Sequence, residues 1–167
     1  MTCHLIHMAL ESVLITGCSS GGIGSSLALA FHASGLHVFA TARDVSKLQH
    51  LVHLPNITIL ALDVTSVPSI YSALEIVKNT NDGRLKYLVN NSGRGMVTPL
   101  LDVDVEEAKK LFDVNLWGPL IVEKAFAELV VESKGTVVLV GSSAGVMGFP
   151  WTGKYFLFST HPTFGCH

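Results

Sequence analysis

Short apolar runs alternate with segments of helical period almost to the end of this 167-residue chain, a pattern that restricts it to βαβ units around a parallel sheet. The strand-like runs are Ser12–Thr16, His37–Thr41, Ile57–Leu62, Leu85–Asn90 and Thr136–Val140. Helical segments fall between them at Ile23–Ser34, Val45–Val52, Val67–Asn79, Val105–Val114 and Leu116–Ser133. In the first helix Leu27, Ala28, Ala30 and Phe31 make a stripe toward the sheet, and Gly35 is a natural stop. Ser66 is placed to cap the third helix, Asn115 marks the junction of the last two, and Lys134 and Gly135 end the last. After Tyr155 the periodicity fails.

Length allows one domain and leaves no room for a second, substrate-binding one. The chain is 49% hydrophobic with a mean hydropathy of +0.46, which fits a globule that touches membranes or apolar partners. No stretch approaches the roughly 20 uninterrupted apolar residues of a membrane span. A formal charge of -2 supplies no basic field for nucleic acid. Cys3, Cys18 and Cys166 are scattered and odd in number, as expected of a reducing compartment, and the first ten residues lack the pattern of a secretory signal. His4 and His7 have no partner cluster for a metal, so none is expected.

Three polar sites stand at the ends of separate strands, the edge where open parallel sheets bind ligands. The first is Val13–Gly24, VLITGCSSGGIG, an apolar run that breaks into a glycine-rich turn and then a helix. Free N–H groups and the positive end of a helix dipole converge there, which suits a pyrophosphate; the bland alternative is a glycine-rich turn with no ligand. The second is Asp63-Val64 and the third Asn90–Gly93. Either could also be an ordinary turn. The second strand ends Thr41-Ala42-Arg43, without the acid that takes the ribose hydroxyls of NAD. Arg43 instead suits a 2′-phosphate and so NADP, unless it is a surface arginine paired with Asp44.

These residues resemble the short-chain dehydrogenases/reductases from about Val13 to Tyr155. Thr16–Gly24 is similar to the family's TGxxxGxG loop lengthened by one residue, and Asn90-Asn91-Ser92-Gly93 to its NNAG motif with serine for alanine. Asn115 in Asp113-Val114-Asn115 resembles the catalytic asparagine, and Ser142 with Tyr155 the catalytic serine and tyrosine. The loop, DGRLKYLVNNSGRG, FDVNLWG and FPWTGKY are further similar to fungal NADPH-dependent 1-acyldihydroxyacetone phosphate reductases. The resemblance implies a Rossmann-type, doubly wound α/β fold of strand order 3-2-1-4-5, with residues 1–11 a flexible N-terminus, 12–155 a dinucleotide-binding domain and 156–167 an unrelated tail.

It also implies NADPH or NADP held by Gly17, Ser19, Ser20, Gly22, Ile23, Gly24, Arg43, Asp63 and Asn90. The substrate implied is a small-molecule carbonyl compound, here a lipid ketone, met on the cytoplasmic side at endoplasmic reticulum or lipid droplet surfaces through peripheral membrane contact. In the family the tyrosine hydroxyl protonates the developing alkoxide, a lysine four residues on favours the charged tyrosine and holds the ribose, the serine hydrogen-bonds the substrate oxygen, and the asparagine supports the lysine. A free tyrosine ionises near 10, hence the need for that lysine.

Here the chain departs from the pattern, because Ser159 stands four residues after Tyr155 and Lys154 precedes it on a different helical face. The expectation is a family fold lacking its last strands, as a mispredicted exon boundary, a retained intron or a frameshift just after Tyr155 would produce. One edge of the fifth strand is then bare and prone to pair with another chain, and subunit assembly through the Asn115 helix loses its usual partner helix. A catalytically impaired NADP-binding fragment is therefore the alternative to a working reductase. Gly141-Ser142-Ser143-Ala144-Gly145 also fits the hydrolase GxSxG elbow, but Gly148, Pro150 and Gly153 follow where a helix is needed, and no acid follows the serine. Trp117 and Trp151 read as packing or pocket-wall residues.

Overall fold

The computed structural model describes residues 10–80 and 82–142. Expectations resting on Lys154, Tyr155, Ser159, Trp151, the 156–167 tail, the GxSxG residues after Ser142, and the N-terminal Cys3, His4 and His7 fall outside those residues, as does Cys166. Five strands, β1 (Ser12–Ile15), β2 (His37–Ala42), β3 (Ile57–Ala61), β4 (Tyr87–Asn90) and β5 (Thr136–Leu139), form one sheet. All neighbours are parallel, in the order β3-β2-β1-β4-β5.

Alternation along β1, β2, β3 and β4 sorts their side chains between two buried layers. Val13, Ile15, Val38 and Ala40 face Ala28 of helix α1 (Ile23–Ala33) and Leu48 and Leu51 of a 3-10 helix, Val45–Leu51. Leu14, Phe39, Leu60 and Leu88 face the other way. There they meet Ile70, Leu74 and Val77 of α2 (Val67–Thr80) and Val122, Phe126 and Leu129 of α4 (Gly118–Glu132). Each such side chain contributes about 1.5–3 kcal/mol when fully withdrawn from water, so the central strands β1, β2 and β4 are held from both faces and their ends are fixed platforms for loops.

The stripe on α1 differs from its sequence reading at Ala30, which is exposed. Gly24, Ala28 and Phe31 follow one face at helical spacing, and Ala30 lies two residues, about 200°, round from Ala28. Ser66 does cap α2, its Oγ accepting from the Ser69 N–H at 3.4 Å. α1 closes on Gly35 at φ +85, with the Leu36 N–H reaching Phe31 O and the Gly35 N–H reaching His32 O. α4 closes by the same pattern of bonds, but Lys134 takes the left-handed position at φ +47. Gly135 is needed next to it for a different reason, since a Cβ there would lie 2.7 Å from Lys86 O and 2.8 Å from Leu85 O.

The junction between the last two helical segments is not a break. α3 (Val105–Phe112), capped by the Asp104 side chain on the Glu106 and Glu107 N–H groups, runs into a π-helical turn, Asp113–Trp117, and then into α4. Gly118 seats this turn: a Cβ would lie 2.9 Å from Val64 Cγ2 of the loop after β3. At the sheet's edge, β5 pairs only with β4 among the described residues, and Val138 and Leu139 are each 37% exposed.

Gly135→Ala is expected to lower thermal stability by about 1–3 kcal/mol through that forced approach. Gly141→Ala, whose Cβ meets nothing within 4 Å among the described residues, is expected to leave the melting temperature unchanged. Equal melting temperatures for both variants would contradict the packing described.

Candidate functional site

The loops leaving β1 and β4 are tied into one unit by Thr16, which is 1% exposed. Its Oγ1 accepts the N–H groups of Asn91 and Ser92, each at 2.9 Å, and its own N–H donates to Val89 O at 3.0 Å. Asn91 returns the contact, its Nδ2 donating to the carbonyls of Thr16 at 2.8 Å and Gly17 at 3.0 Å. Two glycines make room for this knot. A Cβ on Gly17, itself at φ +74, would lie 2.9 Å from Ser92 Oγ, and one on Gly24 would lie 2.5 Å from both Asn91 Nδ2 and Gly17 O.

Beyond the knot, α1 begins with Gly22 as its cap residue, with no side-chain hydrogen bond and no acid in its first turn. Its positive end is therefore left for an anion. Cys18 lies beneath the loop, fully buried, donating from Sγ to Ile15 O at 3.3 Å. Burial pushes its thiol up to about 12, which keeps it in the unreactive protonated form.

A cleft of about 700 Å³ opens over the ends of the strands. Gly17, Ser19, Gly22 and Ile23 line it after β1, Ala42 and Arg43 after β2, residues 62–65 after β3, and residues 91–94 after β4. Lys110, Asp113 and Val114 close it from α3 and the π turn. Six of the residues predicted from sequence to hold a cofactor, Gly17, Ser19, Gly22, Ile23, Arg43 and Asp63, are thus brought together.

Three others lie elsewhere. Ser20 is outside the lining, its N–H donated to Lys47 O at 3.1 Å. Gly24 is buried under the loop and acts through the close approach described. Asn90 is 3% exposed and points to the α4 side of the sheet, its Nδ2 donating to Glu123 Oε1 at 3.1 Å. Strand parity explains it: Asn90 shares a face with Leu88, and its neighbour Asn91 reaches the cleft instead. Asn91 and Thr16 are the residues that sequence reasoning passed over, although both stand inside the motifs it used.

Arg43 is exposed at the cleft's rim and forms no ion pair among the described residues. Asp44, its sequence neighbour, is taken up by Ser46, whose hydroxyl donates to Oδ1 at 2.6 Å and N–H at 3.0 Å. Those bonds hold the Asp44 carboxyl below its ordinary range. Asp63 likewise accepts from the Thr65 hydroxyl at 2.8 Å and N–H at 2.9 Å.

Asn115 spends both ends of its amide on one residue: Oδ1 accepts the Arg94 N–H and Nδ2 donates to Arg94 O, each at 2.8 Å. The Arg94 guanidinium reaches Glu107 at 3.0 Å, and Lys110 reaches the other oxygen of the same carboxylate at 2.7 Å. Ser142 is half-buried just beyond Val140, whose N–H donates to Asn90 O at 2.9 Å; it does not line the cleft. Among the described residues no group of three or more His, Cys, Asp or Glu could hold a metal.

The donors and the shape fit a dinucleotide. Side-chain-free positions allow a pyrophosphate to approach the N-terminus of α1, and the exposed Arg43 guanidinium stands at the end of β2. A parallel sheet carrying this cradle at its switch in strand order is a Rossmann-type dinucleotide-binding fold. Residues 11–156 match the family model of the short chain dehydrogenases, and the chain belongs to that family.

Relatives agree with the assignment. The chain is 45% identical over 148 residues to the short-chain dehydrogenase PC-15 of Penicillium crustosum, covering 89% of this chain and 55% of that one. It is 41% identical over 147 residues to the NADPH-dependent 1-acyldihydroxyacetone phosphate reductase of Schizosaccharomyces pombe, covering 88% and 49%. A solved structure, ElxO with NADP bound, superposes with a TM-score of 0.80 at 30% identity over 90% of this chain and 62% of that one. The chain spans about half the length of the curated relatives it matches.

In a Cys3→Ser, Cys166→Ser background, Cys18 is expected to resist a thiol reagent at pH 8 in the folded protein and to react at once in denaturant. Rapid labelling of the folded form would show that the loop does not seal the thiol.

Proposed function

We propose that this protein is an NADPH-dependent carbonyl reductase, acting on 1-acyldihydroxyacetone phosphate or a related lipid ketone. The observation that carries the reading is the joined cradle: an uncapped helix start behind Gly17 and Gly22, with Arg43, unpaired among the described residues, at the end of β2. An arginine matches a phosphate with charge and with paired N–H donors, so Arg43 favours the 2′-phosphate of NADP over the bare ribose of NAD. The Schizosaccharomyces pombe relative is an NADPH-dependent reductase and the ElxO structure holds NADP, and both point the same way. When bound, NADPH supplies a hydride for a carbonyl carbon.

The chain's own residues would then do the rest. Gly17, Ser19, Gly22 and Ile23 hold the pyrophosphate against the helix start, and Asp63, with its two Thr65 bonds, fixes the wall after β3. Asn115 holds the loop after β4 through Arg94. Ser142 orients the substrate oxygen, and the Tyr155 hydroxyl gives its proton to the alkoxide as it forms. A substrate of this kind would be met at an endoplasmic reticulum or lipid droplet surface on the cytoplasmic side. The contact proposed there is peripheral; among the described residues no helix is long and apolar enough to cross a membrane.

A second reading is favoured by one observation in the sequence, Ser159 in the place of the family's lysine. Without a cation to favour the charged tyrosine, the protein would bind NADP and turn over slowly or not at all. Tryptophan fluorescence and NADPH absorbance separate the two. Quenching by NADPH together with NADPH oxidation on adding the acylated ketone phosphate supports the reductase, and quenching without oxidation supports the impaired binder. No quenching contradicts both. Arg43→Gln is expected to weaken NADPH binding by about tenfold or more, the effect of losing charged hydrogen bonds to a phosphate, with NADH binding little changed.

A further inference from the structure

The segment that carries Arg43 is fastened to the pyrophosphate loop at more points than the sheet requires. Arg43 leads into Asp44, which caps the 3-10 helix Val45–Leu51 through Ser46. Partway along that helix the Lys47 carbonyl accepts the Ser20 N–H of the glycine-rich loop at 3.1 Å. Near its end, His50 Nε2 and the Ser25 hydroxyl share a hydrogen bond of 2.6 Å. Ser25 lies in the first turn of α1 and is 5% exposed, so its hydroxyl is held in place by the helix and the sheet below. Leu48 and Leu51, both fully buried, set the inner face of the 3-10 helix and leave His50 on the side toward α1.

We propose that His50 is a positioning residue for cofactor choice: through Ser25 it fixes the distance between the helix start that takes the pyrophosphate and the strand end where Arg43 takes a 2′-phosphate. The inference rests on the NADPH reading above and deepens it. Two phosphate sites on one ligand reward a fixed separation, because a loop already in place loses no conformational freedom on binding. A nucleotide without the 2′-phosphate uses only the pyrophosphate end, which the Thr16 knot holds independently of His50. Loss of the His50–Ser25 bond therefore acts on NADPH and spares NADH. Neither side chain lines the cleft, so the effect travels through position alone.

Dissociation constants for NADPH and NADH, measured by tryptophan quenching on the full chain, test the proposal with His50→Ala, His50→Gln and Ser25→Ala. His50→Ala is expected to weaken NADPH by about three- to tenfold, the range of one hydrogen bond, and NADH by less than twofold. Ser25→Ala, which cuts the same bond from the helix side, is expected to match it, and His50→Gln, which retains a hydrogen-bonding group, to recover most of the loss. Equal weakening of both nucleotides, or none, overturns the role in selection, as does His50→Ala without a matching Ser25→Ala. If the unaltered protein binds neither nucleotide, the cofactor reading fails and this proposal with it. If it binds both and the NADPH-to-NADH ratio ignores His50 and Ser25, only the positioning role fails.

Discussion

The architecture over the sheet depends on one buried hydroxyl. Thr16 Oγ1 takes two N–H groups from the loop after β4 while Asn91 returns two bonds to the loop after β1. Buried backbone donors left without partners cost about 1–3 kcal/mol each, so neither loop can move without a penalty in the other. Two strand ends thus act as one platform. Gly17 and Gly24 are consequences of this platform, because the approach of Asn91 and Ser92 leaves no volume for a Cβ. The open start of α1 follows in turn, since the chain must leave the knot and enter the helix through Gly22.

Around this platform the cations that line the cleft fall into two groups. Arg43, at the end of β2, has no ion pair among the described residues, while Arg94 and Lys110 share Glu107 on the far side of β1. Exposed pairs of this kind contribute little to stability. Lys110 holds the Glu107 carboxyl below its ordinary range and Glu107 raises Lys110 in return, so both stay charged across the physiological range. Among the described residues, Arg43 is the cleft cation without a carboxylate partner, and its position suits a ligand phosphate. Asn115 is fixed in the same way: it stands in the π-helical turn, and each end of its amide makes one bond to the Arg94 backbone.

How far the sequence reveals this depends on whether a feature is local. The strands are legible because apolar runs such as Val13–Ile15 and Val38–Ala40 need no knowledge of their neighbours. The glycine-rich turn is legible because its residue types serve one purpose. Asn90 and Asn91 are adjacent and chemically identical, and only the parity of β4 decides that one faces Glu123 and the other Thr16. Ala30 misleads because apolarity alone does not locate a helical face. The π turn at Asp113–Trp117 leaves no mark in its own residues, and the close seating of Gly118 on Val64 beside it is a contact across the fold. His50 and Ser25 carry no motif at all, and their pairing emerges only once the 3-10 helix is packed against α1.

The central claim is that a dinucleotide lies in the cleft over β1, β2 and β4, against the joined loops. Backbone amide NMR of the labelled protein, with and without NADPH, tests it at residue level. The account predicts that NADPH shifts the amides of Gly17, Ser19, Gly22, Ile23, Arg43 and Gly93, while those on the outer faces of α2 and α4 stay in place. Shifts confined to other surfaces, or a spectrum unchanged at saturating NADPH, would contradict it.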